Sequence, residues 1–166
     1  MSSEFVSAVE RVARWALARG HRLATAESCT GGWIAKVCTD LPGSSRWFEC
    51  GFVTYSNAAK IRDLGVAART LEEHGAVSEA TVREMAAGAL RTAGVDLAIA
   101  VSGIAGPDGG SDEKPVGTVW FCAARRLGAL PAELVTDGQL FGGDRDTIRR
   151  LSVQRALQLL LRWVDA

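Results

Sequence analysis

Leu97-Ala98-Ile99-Ala100-Val101 is an unbroken apolar run, with Gly94 before it and, behind it, a stretch from Gly103 to Pro115 that holds four glycines and two prolines. A strand without polar alternation has both faces covered, which happens chiefly in a parallel sheet sandwiched between helices. The flanking pattern agrees. Phe5, Val9, Val12, Ala16 and Leu17 recur at helical spacing until Gly20. Leu23 to Ala26 is a short apolar run that stops at Glu27-Ser28, and Thr30 to Asp40 reads as a helix ended by Leu41-Pro42-Gly43. Cys50 to Tyr55 reads as a strand, after which Ser56 or Asn57 caps a short helix carrying Ile61 and Leu64. Ser78 caps a helix whose Val82, Met85, Ala86, Ala89 and Leu90 share one face. Val116 to Cys122 and Glu133 to Leu140 read as two further strands, joined as a hairpin through a linker of about ten residues with Gly128 and Pro131. Asp144 opens a long last helix with Ile148, Leu151, Ala156, Leu159, Leu160 and Trp163 facing inward.

This alternation predicts an α/β fold: one layered α/β/α domain over residues 1–166, with a mixed, mainly parallel sheet and a long C-terminal helix. The first three strands are expected to be parallel and the last two to form an antiparallel addition. Right-handed crossovers put the carboxyl ends of parallel strands on one edge, where open α/β folds bind ligands. Ser28, Tyr55 and Ser102 each sit at or just past such an end. The strand order that would set them side by side is not readable from the pattern.

Composition excludes several function classes. Nineteen basic residues balance nineteen acidic ones, and no run exceeds two like charges, so no basic stripe marks a nucleic-acid partner. The longest apolar runs are about five or six residues, far short of the roughly 20 that span a bilayer. Cys29, Cys38, Cys50 and Cys122 lack CxxC spacing, and Met1 leads into a charged, amphipathic segment unlike a signal peptide; a reducing cytoplasm is expected. His21 and His74 stand alone, and no cysteine or carboxylate set has ligand spacing, so no metal or other cofactor is expected. The loop after Ser102 lacks GxxxxGK[ST], which argues against an ATP site.

Chemistry concentrates in Ala26-Glu27-Ser28-Cys29-Thr30-Gly31-Gly32 and Thr54-Tyr55-Ser56-Asn57-Ala58-Ala59-Lys60, each at a strand-to-helix junction. A serine hydroxyl needs a base, and the second stretch offers a lysine and a tyrosine. Taken singly, Ser28 reads as a helix cap, Lys60 as a solvated helix residue and Tyr55 as strand packing. Cys29 is chemically the better nucleophile, but neither histidine has an identifiable triad partner.

These two stretches, with Gly75-Ala76-Val77-Ser78, Val101-Ser102-Gly103-Ile104-Ala105-Gly106-Pro107 and Pro115-Val116-Gly117-Thr118-Val119, resemble the nicotinamide-nucleotide amidase family, also known as the CinA C-terminal domain. The matching pieces run in order over nearly the whole chain. With about 24 residues before the first motif, the chain is similar to the stand-alone members rather than those fused behind a larger domain. The resemblance implies hydrolysis of the carboxamide of nicotinamide mononucleotide to nicotinate mononucleotide and ammonia, by a homodimer or higher homo-oligomer. The alternative is a nucleotide-binding or interaction module that kept the pocket and lost turnover.

In that setting Ser28 attacks the amide carbon, and Lys60 serves as base and then as acid toward departing ammonia. A neutral lysine is required, hence burial or a cationic neighbour. Tyr55 relays the proton, orients Lys60 or stacks on the pyridine ring, with orientation and relay placed first. Backbone amides around Thr30, Gly31 and Gly32 are candidates to hold the oxyanion. Asn57, Ser102 and Gly103 are counted as further substrate-binding candidates. Arg145, in the first turn of the last helix, opposes the helix dipole and invites an anion such as the substrate phosphate; the bland alternative is pairing with Asp146 or another surface acid.

Overall fold

The computed structural model describes residues 3–165; Met1 and Ser2, where the charged N-terminal segment begins, and Ala166 lie outside the described residues. The elements follow in the order α1 (Ser3–Arg19), β1 (Leu23–Glu27), α2 (Trp33–Thr39), a 3₁₀ turn (Ser44–Arg46), β2 (Phe48–Val53), α3 (Asn57–Leu64), α4 (Ala68–His74), α5 (Glu79–Ala93), β3 (Leu97–Gly103), β4 (Thr118–Leu127), β5 (Leu130–Leu140) and α6 (Arg145–Leu161). They build a five-stranded sheet in the order β2-β1-β3-β4-β5. β1 pairs in parallel with both β2 and β3, whereas the β3–β4 and β4–β5 pairings are antiparallel.

The apolar run chosen from sequence is the middle strand, and its side chains alternate between two cores by size. Leu97, Ile99 and Val101 join Phe121 of β4 beneath α1, α2 and α6, where Val9, Val12, Ile34, Ile148 and Leu157 are buried. Ala98 and Ala100 face the other way, with Ala24 and Ala26 of β1, against Leu64, Val82, Met85 and Ala86. A strand surface of alanines lets α5 lie close to the sheet. α3 in turn lies close to α5: a Cβ on Gly88 would stand 2.0 Å from the Leu64 carbonyl oxygen, so only glycine fits there.

Several boundaries differ from the sequence reading, each for a local reason. α2 begins at Trp33 rather than Thr30, because Gly31 and Gly32 take φ values of 62° and 93°, outside the helical region. β2 is Phe48–Val53, two residues earlier than expected, and β3 continues through Ser102 and Gly103. β4 starts at Thr118, and the expected ten-residue hairpin linker is instead the two residues Gly128-Ala129, with Gly128 at φ 61°. Pro131 sits within β5 because that strand is at the sheet edge, where a missing N–H is tolerated. α4 was not anticipated: its seven residues bury only Leu71, too little for an apolar period. Leu17 is exposed, and Trp163 is buried just beyond the end of α6. The glycine-rich stretch after β3 is tied down by Ile104 N–H to Thr118 O, Gly117 N–H to Ile104 O and Lys114 Nζ to His74 O, at 2.9, 2.8 and 2.7 Å.

Candidate active site

Ser28 is the first residue past β1, between the carboxyl ends of β2 and β3. Its amide donates to Val101 O at 3.1 Å, and on the other side Thr54 N–H donates to Glu27 O at 2.9 Å. The register Glu27↔Val101 continues to Ser28 beside Ser102, so strand order β2-β1-β3 brings together residues far apart in sequence.

Lys60 comes from α3. Ser56 caps that helix, accepting from Ala59 N–H at 3.1 Å, and Ala59, Lys60 and Leu64 form its buried side. Lys60 is only 1% exposed. Its Nζ lies 3.1 Å from Ser28 Oγ, 2.7 Å from Thr54 O and 3.5 Å from Tyr55 O. A neutral amine has two N–H donors and one lone pair, and these neighbours are two carbonyl acceptors and one hydroxyl able to donate. Among the described residues no carboxylate pairs with Lys60, and burial pushes its pKa down, against a smaller opposing influence from Cys29. The arrangement can therefore take a proton from Ser28. Cys29, by contrast, joins the core under α1 and α6, and burial pushes its thiol up to about 12. A thiol so held is not an available nucleophile.

Glu27 is a residue whose part sequence reasoning missed. Fully buried, it accepts four hydrogen bonds: from Thr30 Oγ1 at 2.6 Å and from the amides of Gly32, Ile34 and Ala35 at 3.1, 3.0 and 2.8 Å. It gathers the unpaired amides at the start of α2 from a strand end, at a spacing that ordinary capping rules do not cover. The Gly31 amide donates to Ser28 O at 3.0 Å. The Gly31 and Gly32 N–H groups, candidates for the oxyanion from sequence, are thus both engaged within the turn.

The remaining candidates divide. Arg145 does not pair with Asp146; its Nη1 donates to Gly106 O at 2.7 Å and its Nη2 to the Tyr55 hydroxyl at 3.1 Å. Tyr55 is 61% exposed, and its ring stands at the surface beside the buried pair. Asn57 is the exposed first residue of α3, and Ser102 is buried at the end of β3. Gly103 has a packing reason, because a Cβ there would come within 2.7 Å of Val119 Cγ2. A separate groove of about 450 Å³ runs behind the turn, between Phe5, Trp33, Lys36 and Arg149; none of Ser28, Tyr55 or Lys60 lines it.

The CinA C-terminal domain family model matches residues 6–164. The chain belongs to this family. It is 57% identical over 158 residues to the nicotinamide-nucleotide amidohydrolase PncC of Escherichia coli strain K12, covering 95% of this chain and 93% of that protein. Similarity extends to a putative competence-damage inducible protein of Symbiobacterium thermophilum, 52% identical over 93% of this chain but only 37% of that longer one. The crystal structure of competence/damage inducible protein CihA from Agrobacterium tumefaciens superposes with a TM-score of 0.93 at 40% identity, covering 100% of this chain and 98% of that one. Family members thus share the sheet on which Ser28 and Lys60 meet, and the family reading made from sequence holds.

Proposed function

We propose that this protein hydrolyses the carboxamide of nicotinamide mononucleotide to nicotinate mononucleotide and ammonia, with Ser28 as nucleophile and Lys60 as base. The observation that carries this reading is the 3.1 Å contact between Ser28 Oγ and a buried Lys60 Nζ whose other neighbours are carbonyls. The likeness to the amidohydrolase PncC supplies the substrate.

In the first half-reaction Ser28 Oγ bonds to the amide carbon as its proton passes to Lys60 Nζ. The tetrahedral intermediate then collapses: the C–N bond breaks, Lys60 returns the proton to nitrogen, and ammonia leaves an acyl-serine ester. In the second, water attacks the ester carbon, gives its proton to Lys60 and releases nicotinate mononucleotide as Ser28 is reprotonated. Thr54 O and Tyr55 O hold the amine by its N–H groups and keep its lone pair toward Ser28. Tyr55 and Arg145, joined at the surface beside the pair, form the mouth in this reading: the Arg145 guanidinium meets the phosphate and the Tyr55 ring covers the pyridine. Asn57 and Ser102 flank this mouth and the nucleophile. No redox or group-transfer cofactor is needed for this chemistry, and among the described residues no three His, Cys, Asp or Glu side chains gather as a metal set.

Four free cysteines and the absence, among the described residues, of a helix long and apolar enough to cross a membrane support placing this activity in the cytoplasm, in pyridine nucleotide salvage. The homo-oligomer implied by the family resemblance belongs to the same proposal and is read by sedimentation. The deciding assay is ammonia release from nicotinamide mononucleotide by the wild type and by Ser28→Ala and Lys60→Ala. Turnover abolished in both variants is expected. A retained rate in Ser28→Ala overturns the nucleophile, and a wild type that binds nicotinate mononucleotide without releasing ammonia from the substrate overturns the enzyme in favour of a binding module.

A further inference from the structure

The turn that carries Ser28 is gripped from two sides by opposite charges, neither of which touches Ser28 Oγ or Lys60 Nζ. From within, Glu27 takes Thr30 Oγ1 and the amides of Gly32, Ile34 and Ala35. From without, Arg149 on α6 donates Nε to Cys29 O at 3.1 Å and Nη2 to Thr30 O at 3.0 Å, its guanidinium lying 5.5 Å over the Trp33 ring. Every amide from Gly31 to Ala35 is accounted for: Gly31 by Ser28 O, Trp33 by Thr30 O, the other three by Glu27. Among the described residues, the Thr30 amide, two residues after the nucleophile, has no acceptor.

Its direction follows from the grip. The Cys29–Thr30 peptide is trans, so its N–H points opposite to its C=O. Arg149 holds that C=O toward α6, on the face covered by α1, α2 and α6. The Thr30 N–H is therefore turned away from α6, toward the face from which α3 delivers Lys60. A free backbone donor so placed after a nucleophile is what a tetrahedral oxyanion requires. A planar guanidinium holds the carbonyls of two successive peptides in one fixed geometry, whereas a lysine ammonium is a point charge without that fork.

We propose that Arg149, working against Glu27, is a positioning residue that aims the free Thr30 amide at the oxygen of the substrate carboxamide as it becomes an oxyanion. This rests on the amidohydrolase reading above, and it adds a donor that reading leaves unassigned.

The test uses the full chain with Arg149→Ala and Arg149→Lys, and measures kcat, KM, affinity for nicotinate mononucleotide, and amide hydrogen exchange across residues 29–35. Loss of aim at an oxyanion site lowers kcat by about 100-fold. Arg149→Ala is expected to show that loss with product affinity within about threefold of wild type and partial rescue by added guanidinium. Arg149→Lys is expected to recover little. Exchange in the turn is expected to quicken at least about tenfold while α5 amides keep their protection. Unchanged kcat, full recovery in Arg149→Lys, or weakened product binding at constant kcat overturns the proposal, the last making Arg149 a ligand contact. Exchange needs no substrate, so unchanged protection overturns the grip whatever the activity. A wild type without turnover sinks the amidohydrolase reading instead.

Discussion

Where β1, β2 and β3 end, ionisable groups are buried and held by hydrogen bonds: Glu27 by four donors, Lys60 by two carbonyls and a hydroxyl. Along β4 and β5 charge stays near solvent in cross-strand and helix-to-strand ion pairs, Arg125 with Glu133 at 2.6 Å and Arg155 with Asp137 at 2.7 Å. Those pairs hold Glu133 and Asp137 below the usual carboxylate range, chiefly through hydrogen bonds from their arginines. Two lysines draw the contrast within one residue type. Lys36 on α2 has a side chain 61% exposed and bonds Asp40 at 2.5 Å, whereas Lys60 on α3 is buried and pairs with no carboxylate among the described residues. Desolvation disfavours the ammonium, so burial without an acid makes a base, and exposure beside an acid makes a surface ion pair.

The sharpest way to break this contrast is to remove either member of the buried pair. Ser28→Ala and Lys60→Ala should each lower kcat by about 10⁴ or more, and the double variant should be little worse than either, because the two act as a unit. Multiplying losses would show that they do not.

Next in size is Arg145→Ala. Removing a charged hydrogen-bond donor to phosphate is worth about 1.5–3 kcal/mol, a rise in KM of roughly 10- to 100-fold. Nicotinamide riboside, which lacks the phosphate, should lose little by comparison. Equal effects on both substrates would assign Arg145 to the support of Tyr55 and Gly106.

Gly88→Ala asks whether close packing keeps Lys60 in place. Alanine is the better helix former, yet its Cβ would meet the Leu64 carbonyl, and forced repacking costs about 1–3 kcal/mol. A lower Tm together with a several-fold lower kcat is expected. A stabilised, fully active variant would show that α3 can move without displacing the amine.

The pH dependence follows from the lowered Lys60 pKa. The unfolded chain, with lysine near its ordinary 10.5, binds more protons than the folded one between the lowered value and 10.5. Wild-type stability relative to Lys60→Met should therefore rise with pH across that window and stay flat below it. kcat should rise with pH to a plateau reached before 10.5. A plateau only above that value would mean an ordinary lysine.

The smallest effect belongs to the antiparallel half. Arg125→Ala should cost about 1 kcal/mol or less by denaturant unfolding and leave kcat unchanged, because a partly exposed pair gains little over hydration. A loss of activity there would show that the two halves are coupled.

The legible parts were those encoded locally. β3 was legible because an apolar run with turn residues on both sides has few other solutions, and α5 and α6 because Ser78 and Asp144 cap clear apolar periods. α4 was not, since one buried leucine makes no period. The hairpin linker was overestimated, since Pro131 is tolerated only by virtue of lying on an edge strand, and edge position is a property of the sheet. In the site, Ser28, Tyr55 and Lys60 were found through motif and family resemblance. Glu27 and Arg149 were not, because one reaches forward across a turn and the other spans about 120 residues of chain to reach its carbonyls.

By itself the order of residues determined which segments become strands and helices, which side chains carry reactive groups and which family the chain resembles, because each of these depends on neighbours within a few positions. Only the tertiary structure decided that β1 lies between β2 and β3, that Lys60 is dry and within 3.1 Å of Ser28, and that the Gly31 and Gly32 amides are already engaged. Desolvation and hydrogen-bond partnership depend on what the rest of the chain places nearby, and no local pattern specifies that.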